Sequence, residues 1–110
     1  MRLEPGDVVT ADFPGVTGIK RRPCVVISSE TYHQTRPDVI LGLLTSQLSG
    51  AVDPSDHVLQ DWTAAGLRKP SVFRTFLFTL PARSILRIGH LTDGDWNGVR
   101  AAVRHALATA

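Results

Sequence analysis

The run PCVVIS, residues 23–28, constrains the fold most. Cys24, Val25, Val26 and Ile27 are four apolar residues in a row, three of them β-branched. That pattern lacks the alternation of a strand with one wet face and is too short for a buried helix, so it reads as a central strand covered on both sides. Pro23 is expected at the strand's first position, where a missing N–H costs little. A chain of 110 residues must therefore build a sheet and also cover both its faces. At this length roughly 60–70% of the unfolded surface is buried on folding, enough for one core and a single domain over residues 1–110.

The remaining segments supply the partners. GDVVTADF follows a Pro5–Gly6 turn signal and alternates, with Val9, Ala11 and Phe13 on one face and Val8, Thr10 and Asp12 on the other. PGVTGIKRR reads as a loop with a cationic end, a flap over a polyanion. Residues 28–38 are polar, with one helical turn after Ser28 or Ser29, and VILGLLTSQ gives a third strand from Val39 to about Thr45. Gly42 inside it signals a bulge or a close backbone approach. LSGAVDPSD is a loop, HVL a short strand, and the stretch after Gln60 carries Trp62 and a turn at Gly66. SVFRTFLFTLP is the most strand-like stretch, and its alternation puts Val72, Arg74, Phe76 and Phe78 together. One cation among three apolar groups means that a bulge breaks the register or a pocket holds Arg74.

At the C-terminus the period changes. Trp96, Val99, Val103 and Leu107 form one helical stripe, with Arg100, Arg104 and His105 turned away. Thr92 followed by Asp95 resembles a capping box with Asp in place of Glu, and Asp93 adds negative charge at the helix's positive end. The helix is expected over about Asp93–Ala108. Five or so short antiparallel strands followed by one amphipathic helix make an α+β layout on a small barrel.

Cys24 is the only cysteine, which excludes an internal disulfide and a cysteine-based zinc site and suggests a reducing cytoplasm. MRLEPGDVV lacks the apolar segment of a signal peptide, and no window approaches a membrane span, so a soluble cytoplasmic chain without membrane contact is expected. Net charge is only +2, but ten of the twelve cations are arginine. Arginine's planar fork pairs with phosphate and stacks on bases, a pointer toward nucleic acid that a GC-rich genome would also produce.

GDVVTADF, a glycine-containing loop, RRPCVVIS, LLTSQ, GLRKPSVFR and a terminal helix follow one another as in the MazF/PemK toxins, and the chain resembles that family from about Pro5 to Leu107. The resemblance implies an SH3-like antiparallel β-barrel, a homodimer and a cognate antitoxin. It also implies an endoribonuclease that uses no metal or other cofactor. Such an enzyme cuts single-stranded RNA through attack of the 2′-hydroxyl, leaving a 2′,3′-cyclic phosphate and a 5′-hydroxyl. The family's arginine before proline maps onto Arg22, and its threonine at the end of the third strand maps onto Thr45; these are the expected catalytic pair. An arginine fixed by a proline and a buried strand suits the charge that grows on phosphorus in the transition state. Ser46 and Gln47 are nearby donors, and Lys20, Arg21, Arg68, Lys69 and Arg74 are expected along the RNA backbone.

Two departures bear on the chemistry. The loop before Arg22 contains no acidic residue, and the Arg-x-Asp of many members is here Arg74, Thr75, Phe76. The usual positions for a general base are therefore empty, and arginine itself stays protonated. His33 and His57 titrate in the useful range and are candidates for proton transfer. Asp12, aligned with a family aspartate, stands open between that role and ordering the loop after it. The same fold also serves gyrase poisons that bind protein rather than cut RNA, and a member retaining only dimerisation and antitoxin binding is a further alternative. Trp62, Phe73, Phe76 and Phe78 either fill one core or leave a patch for a two-fold partner.

Overall fold

The computed structural model describes residues 2–48 and 52–109, so the middle of the loop expected over LSGAVDPSD, residues 49–51, lies outside the described residues. The described elements are β1 (Asp7–Gly15), β2 (Gly18–Val26), α1 (Glu30–Thr35), β3 (Asp38–Thr45), β4 (Asp56–Val58), β5 (Val72–Pro81), a single 3-10 turn (Ala82–Ser84), β6 (Leu86–His90) and α2 (Asp93–Ala106). The strands form one antiparallel sheet in the order β4-β5-β3-β2-β1-β6, curled into a half-barrel with α2 packed against it. This is the expected α+β architecture. None of the described helices is long and apolar enough to cross a membrane.

PCVVIS is covered on both faces, as its composition requires. Val25 pairs with Val8, and both enter a core with Leu44, Phe73, Leu59, Ala65, Leu91, Val99 and Ala102. Cys24 and Val26 point the other way, into a second core with Val9, Ala11, Val39, Leu41 and Leu3, flanked by Phe78, Leu80 and Ile85. Each fully buried Val, Leu or Phe contributes about 1.5–3 kcal/mol relative to exposure. Burial raises the Cys24 thiol to about 12, with the Arg22 charge pulling the other way, so it remains protonated at neutral pH.

Pro23 does not open the strand. β2 begins at Gly18, and the expected flap is instead a hairpin turning at Val16–Thr17, its register fixed by pairs such as Asp12 with Arg21 and Phe13 with Lys20. An arginine–aspartate contact of 2.9 Å across Asp12 and Arg21 helps to hold this ribbon together. The proline fits because of where its missing donor points. The Ile27 N–H donates to Ile40 on β3, and amides two and four residues back along an extended strand face the same way. At Pro23 the β2–β3 ladder has already ended, its last pair being Cys24 with Leu43. The lost hydrogen bond is therefore one that the sheet does not make.

The period-two conflict in SVFRTFLFTLP resolves in both ways at once. Leu77 pairs with Gly42 and Arg74 with the next residue, Leu43, so Thr75 and Phe76 bulge out of the ladder. Thr75 turns to Ser55, donating to its carbonyl through both the backbone N–H and Oγ1, while Arg74 donates to Asp56 on β4 at 2.9 Å. Gly42 meets both readings of its sequence position, since it flanks the bulge and lies over the ring of Phe73, where a Cβ would collide with that ring. Because Phe73 is fully buried, Gly42→Ala is expected to cost about 1–3 kcal/mol through overpacking. Guanidinium unfolding of the two proteins measures it, and an unchanged midpoint would show that the ring yields freely.

The Leu86–His90 strand has no sequence counterpart above. It is five residues long, contains Gly89, and acquires its strand form by pairing with β1, Asp7 opposite His90. α2 starts where expected, with the Asp95 N–H donating to Thr92 Oγ1 at 3.3 Å, but it ends two residues early at Ala106. Leu107 has already turned to extended backbone and is 42% exposed, so it leaves the apolar stripe. Only half of the capping box forms, because the Asp95 carboxylate is committed elsewhere. It accepts from the Gln60 N–H, the Asp61 N–H and His57 Nε2, each at 2.9 Å. Burial opposes its charge, yet these three donors outweigh that and hold the carboxyl below the ordinary aspartate range.

Candidate nucleic-acid interface

A groove of about 650 Å³ opens between the β1–β2 hairpin and the segment that enters β5. Its walls carry Lys20, Arg21 and Arg22 on one side and Arg68 and Lys69 on the other, with Ser46 at the end of β3. Leu44, Leu67 and Ile88 give it apolar contact surface, while Thr10, Pro23, Gly66 and Ser71 complete the lining. Five cations thus converge on one concavity without a carboxylate or imidazole among the lining residues. Such a site attracts a polyanion but supplies no base of its own.

The second wall is placed by backbone contact. Ala65 is buried and Gly66 adopts φ +86 where a Cβ would strike the Ile88 carbonyl, while a Cβ at Gly89 would strike the Ala65 carbonyl. Two glycines therefore let the turn close on β6, and Arg68 and Lys69 follow within three residues. The buried Ser71 hydroxyl then donates to the Lys69 carbonyl at 2.9 Å before β5 begins.

Period two separates the cations of KRR. Arg21 pairs with Asp12 on the side of Thr10 and Pro23, and its guanidinium is occupied by Asp12 at 2.9 Å and by the Thr10 carbonyl at 3.4 Å. Arg22 pairs with the fully buried Ala11 and projects to the opposite side of the ribbon, yet it still lines the groove. No ion pair engages Arg22 among the described residues. Its backbone is pinned by Pro23 and buried Cys24, and its charge is available.

The other expected site residues are distributed unevenly. Thr45 is not among the groove-lining residues, and its hydroxyl accepts the Gln47 N–H at 3.1 Å. The register nevertheless relates it to Arg22: the last ladder pair is Cys24 with Leu43, and two residues further along each strand, on the same face, come Arg22 and Thr45. Gln47 is exposed beyond the strand end. Arg74 lies outside the groove lining and is paired with Asp56, whose side chain is largely buried.

Neither candidate histidine lies in the groove. His33 donates from Nδ1 to the Leu3 carbonyl at 3.1 Å and accepts the Ser28 hydroxyl on Nε2 at 2.5 Å, a chain that ties α1 to the N-terminal segment. His57 is held by Asp95. One further cluster, Glu4, Asp7 and His90, brings its ligand atoms within 4.8 Å. Asp7 already accepts from the Glu4 N–H, His90 Nδ1 and the Arg87 guanidinium, so this trio is a clasp between the N-terminal segment and β6. Sequence reasoning did not single out Leu67, Ile88 or Ser71, whose place in the groove depends on contacts between distant segments.

Known proteins share this architecture. An endoribonuclease in complex with its cognate antitoxin, from a mycobacterial species, superposes with a TM-score of 0.78 at 18% identity, covering 98% of this chain and 97% of that one. MazF in the MazE–MazF complex of Deinococcus radiodurans gives 0.76 at 19% identity over 96% of both chains. The Mycobacterium tuberculosis toxin MazF-mt6 gives 0.73 at 20% identity over 91% of this chain and 94% of its own. No curated protein matches the sequence. The family model for PemK-like, MazF-like toxins of type II toxin–antitoxin systems matches residues 4–107, nearly the full length, and the chain belongs to that family.

Proposed function

We propose that this toxin is an endoribonuclease that cuts single-stranded RNA without a metal ion, the 2′-hydroxyl attacking the adjacent phosphorus and the 5′-oxygen leaving. The observation that carries this reading is the groove of five cations with Arg22 held at its edge and free of a carboxylate partner. Arg22 meets the phosphate oxygens as charge builds there, Lys20, Arg68 and Lys69 follow the backbone, and Thr45 orients the reacting phosphate or hydroxyl. With no carboxylate or imidazole lining the groove, water takes the proton of the 2′-hydroxyl and supplies one to the departing 5′-oxygen, and catalysis rests on orientation and electrostatic stabilisation. Several structural neighbours were crystallised with an antitoxin. An acidic segment of such a partner is complementary to this groove and competes with RNA for it. The active form is a cytoplasmic homodimer.

The absence of a base among the lining residues favours one second reading, a toxin that uses the groove to bind protein. Incubation of the purified chain with single-stranded RNA in EDTA separates the two. Fragments whose 5′ ends accept phosphate from a kinase without prior dephosphorylation, and whose 3′ ends are cyclic, are expected. Intact RNA under these conditions leaves the protein-binding reading.

A further inference from the structure

Phe76 stands in the β5 bulge with 54% of its surface open to solvent. Its ring meets Phe13 of β1 edge-on, with centroids 6.0 Å apart at 64°, and lies 6.3 Å from Phe78. Phe13 and Phe78 are themselves in edge contact at 5.2 Å and 74°. Phe78 packs on the second core, so the two inner rings are anchored while the outer one is exposed. An edge-to-face contact covers at most one face of a ring, so Phe76, more than half exposed, keeps aromatic surface unused.

Strand register identifies what shares that side. Lys20 is directly opposite Phe13 and Arg22 is opposite Ala11, and paired residues point to the same face. Thr45 falls on this face two residues past Leu43, which pairs with Cys24. Through its contact with Phe13 the exposed ring lies on the ribbon face that carries Lys20 and Arg22, beside the groove lining rather than within it. An unstacked base attached to a phosphate matches both groups at once, whereas an apolar protein surface would leave Lys20 and Arg22 without partners.

We propose that Phe76, backed by Phe13 and Phe78, is a stacking platform for a base of the RNA whose phosphate is held at Arg22. The chain then engages its substrate through a base as well as through the backbone. This rests on the nuclease reading above, and it places an aromatic ring where many family members have the carboxylate of Arg-x-Asp.

The test uses a short single-stranded oligoribonucleotide, 2′-O-methylated throughout so that it cannot be cut, and the same oligonucleotide with abasic residues. Binding is followed by fluorescence anisotropy and mass by light scattering. The wild-type chain is expected to prefer the base-containing strand roughly 5- to 100-fold. Phe76→Ala loses that preference, Phe76→Trp restores it, and the mass stays unchanged. Phe76→Leu, which keeps apolar volume but removes the aromatic face, replaces the alanine variant if that one melts early. An undiminished preference in the alanine or leucine variant overturns the platform alone. So does a drop in mass with Phe76→Ala, which would mean that the ring packs against a second copy. A wild-type chain that binds neither oligonucleotide overturns the RNA reading itself.

Discussion

Arg22→Ala is expected to slow RNA cleavage by about 30- to 1000-fold, the loss of about 2–4 kcal/mol of transition-state stabilisation, while the protein stays folded. The size follows from the setting of the side chain. Pro23 fixes the backbone on one side, Cys24 is buried immediately after it, and no ion pair among the described residues draws the guanidinium away. Little ordering remains to be done when phosphate arrives. Arg21→Ala, next in sequence, is expected to be much milder, because that charge is already shared with Asp12 and Thr10. Single-turnover cleavage of a defined RNA by the two variants, with circular dichroism as the folding control, gives the comparison. Full activity in Arg22→Ala, or equal losses in both variants, would remove Arg22 from its assigned role.

The largest effect on stability is expected at Asp95. Its side chain is 1% exposed and accepts three hydrogen bonds, from Gln60, Asp61 and His57, so it fastens the start of α2 to the segment after β4. Asp95→Ala strands two backbone donors and an imidazole, and costs about 3–5 kcal/mol. Against a typical total of about 5–15 kcal/mol this brings the chain close to unfolding at growth temperature. The sign of the pH dependence follows from the lowered carboxyl. An unfolded aspartate titrates near pH 3.9, roughly, and the folded group titrates lower. The stabilisation is therefore complete above about pH 4 and is lost as pH falls through the folded value. Urea midpoints measured from pH 7 down to pH 2 are expected to fall at the acid end in the wild type and to fall less steeply in Asp95→Asn. Parallel curves for the two proteins would contradict this account.

Local patterns made the sheet legible. PCVVIS announced a strand buried on both faces, and alternation in KRR is enough to send Arg21 and Arg22 to different sides once β1 supplies the register. Arg74 was ambiguous for a physical reason: a bulge and a captured cation leave the same mark on the sequence, and here both occur. What stayed hidden arises from contacts between remote segments. Asp95 looked like a capping residue because its true partners, Gln60 and Asp61, lie 35 and 34 positions away. β6 is mostly exposed and carries no core-facing alternation to announce it, and it is a strand because β1 is beside it. The groove's cations were visible as charge, whereas Leu67 and Ile88 gave no sign that they would line it. Thr45 was recognisable by its place at a strand end, but its engagement with Gln47 was not.

The pairing of β1 with β6 also governs when the molecule comes into being. Asp7 and His90 are bridged side by side although they lie 83 positions apart, and the groove includes Ile88 from that last strand. Contacts of such long range form late, because the intervening chain must first be gathered in. On a ribosome the groove lacks its Ile88 wall until β6 has left the exit tunnel. A translation product that stalls before β6 is therefore expected to lack the complete groove.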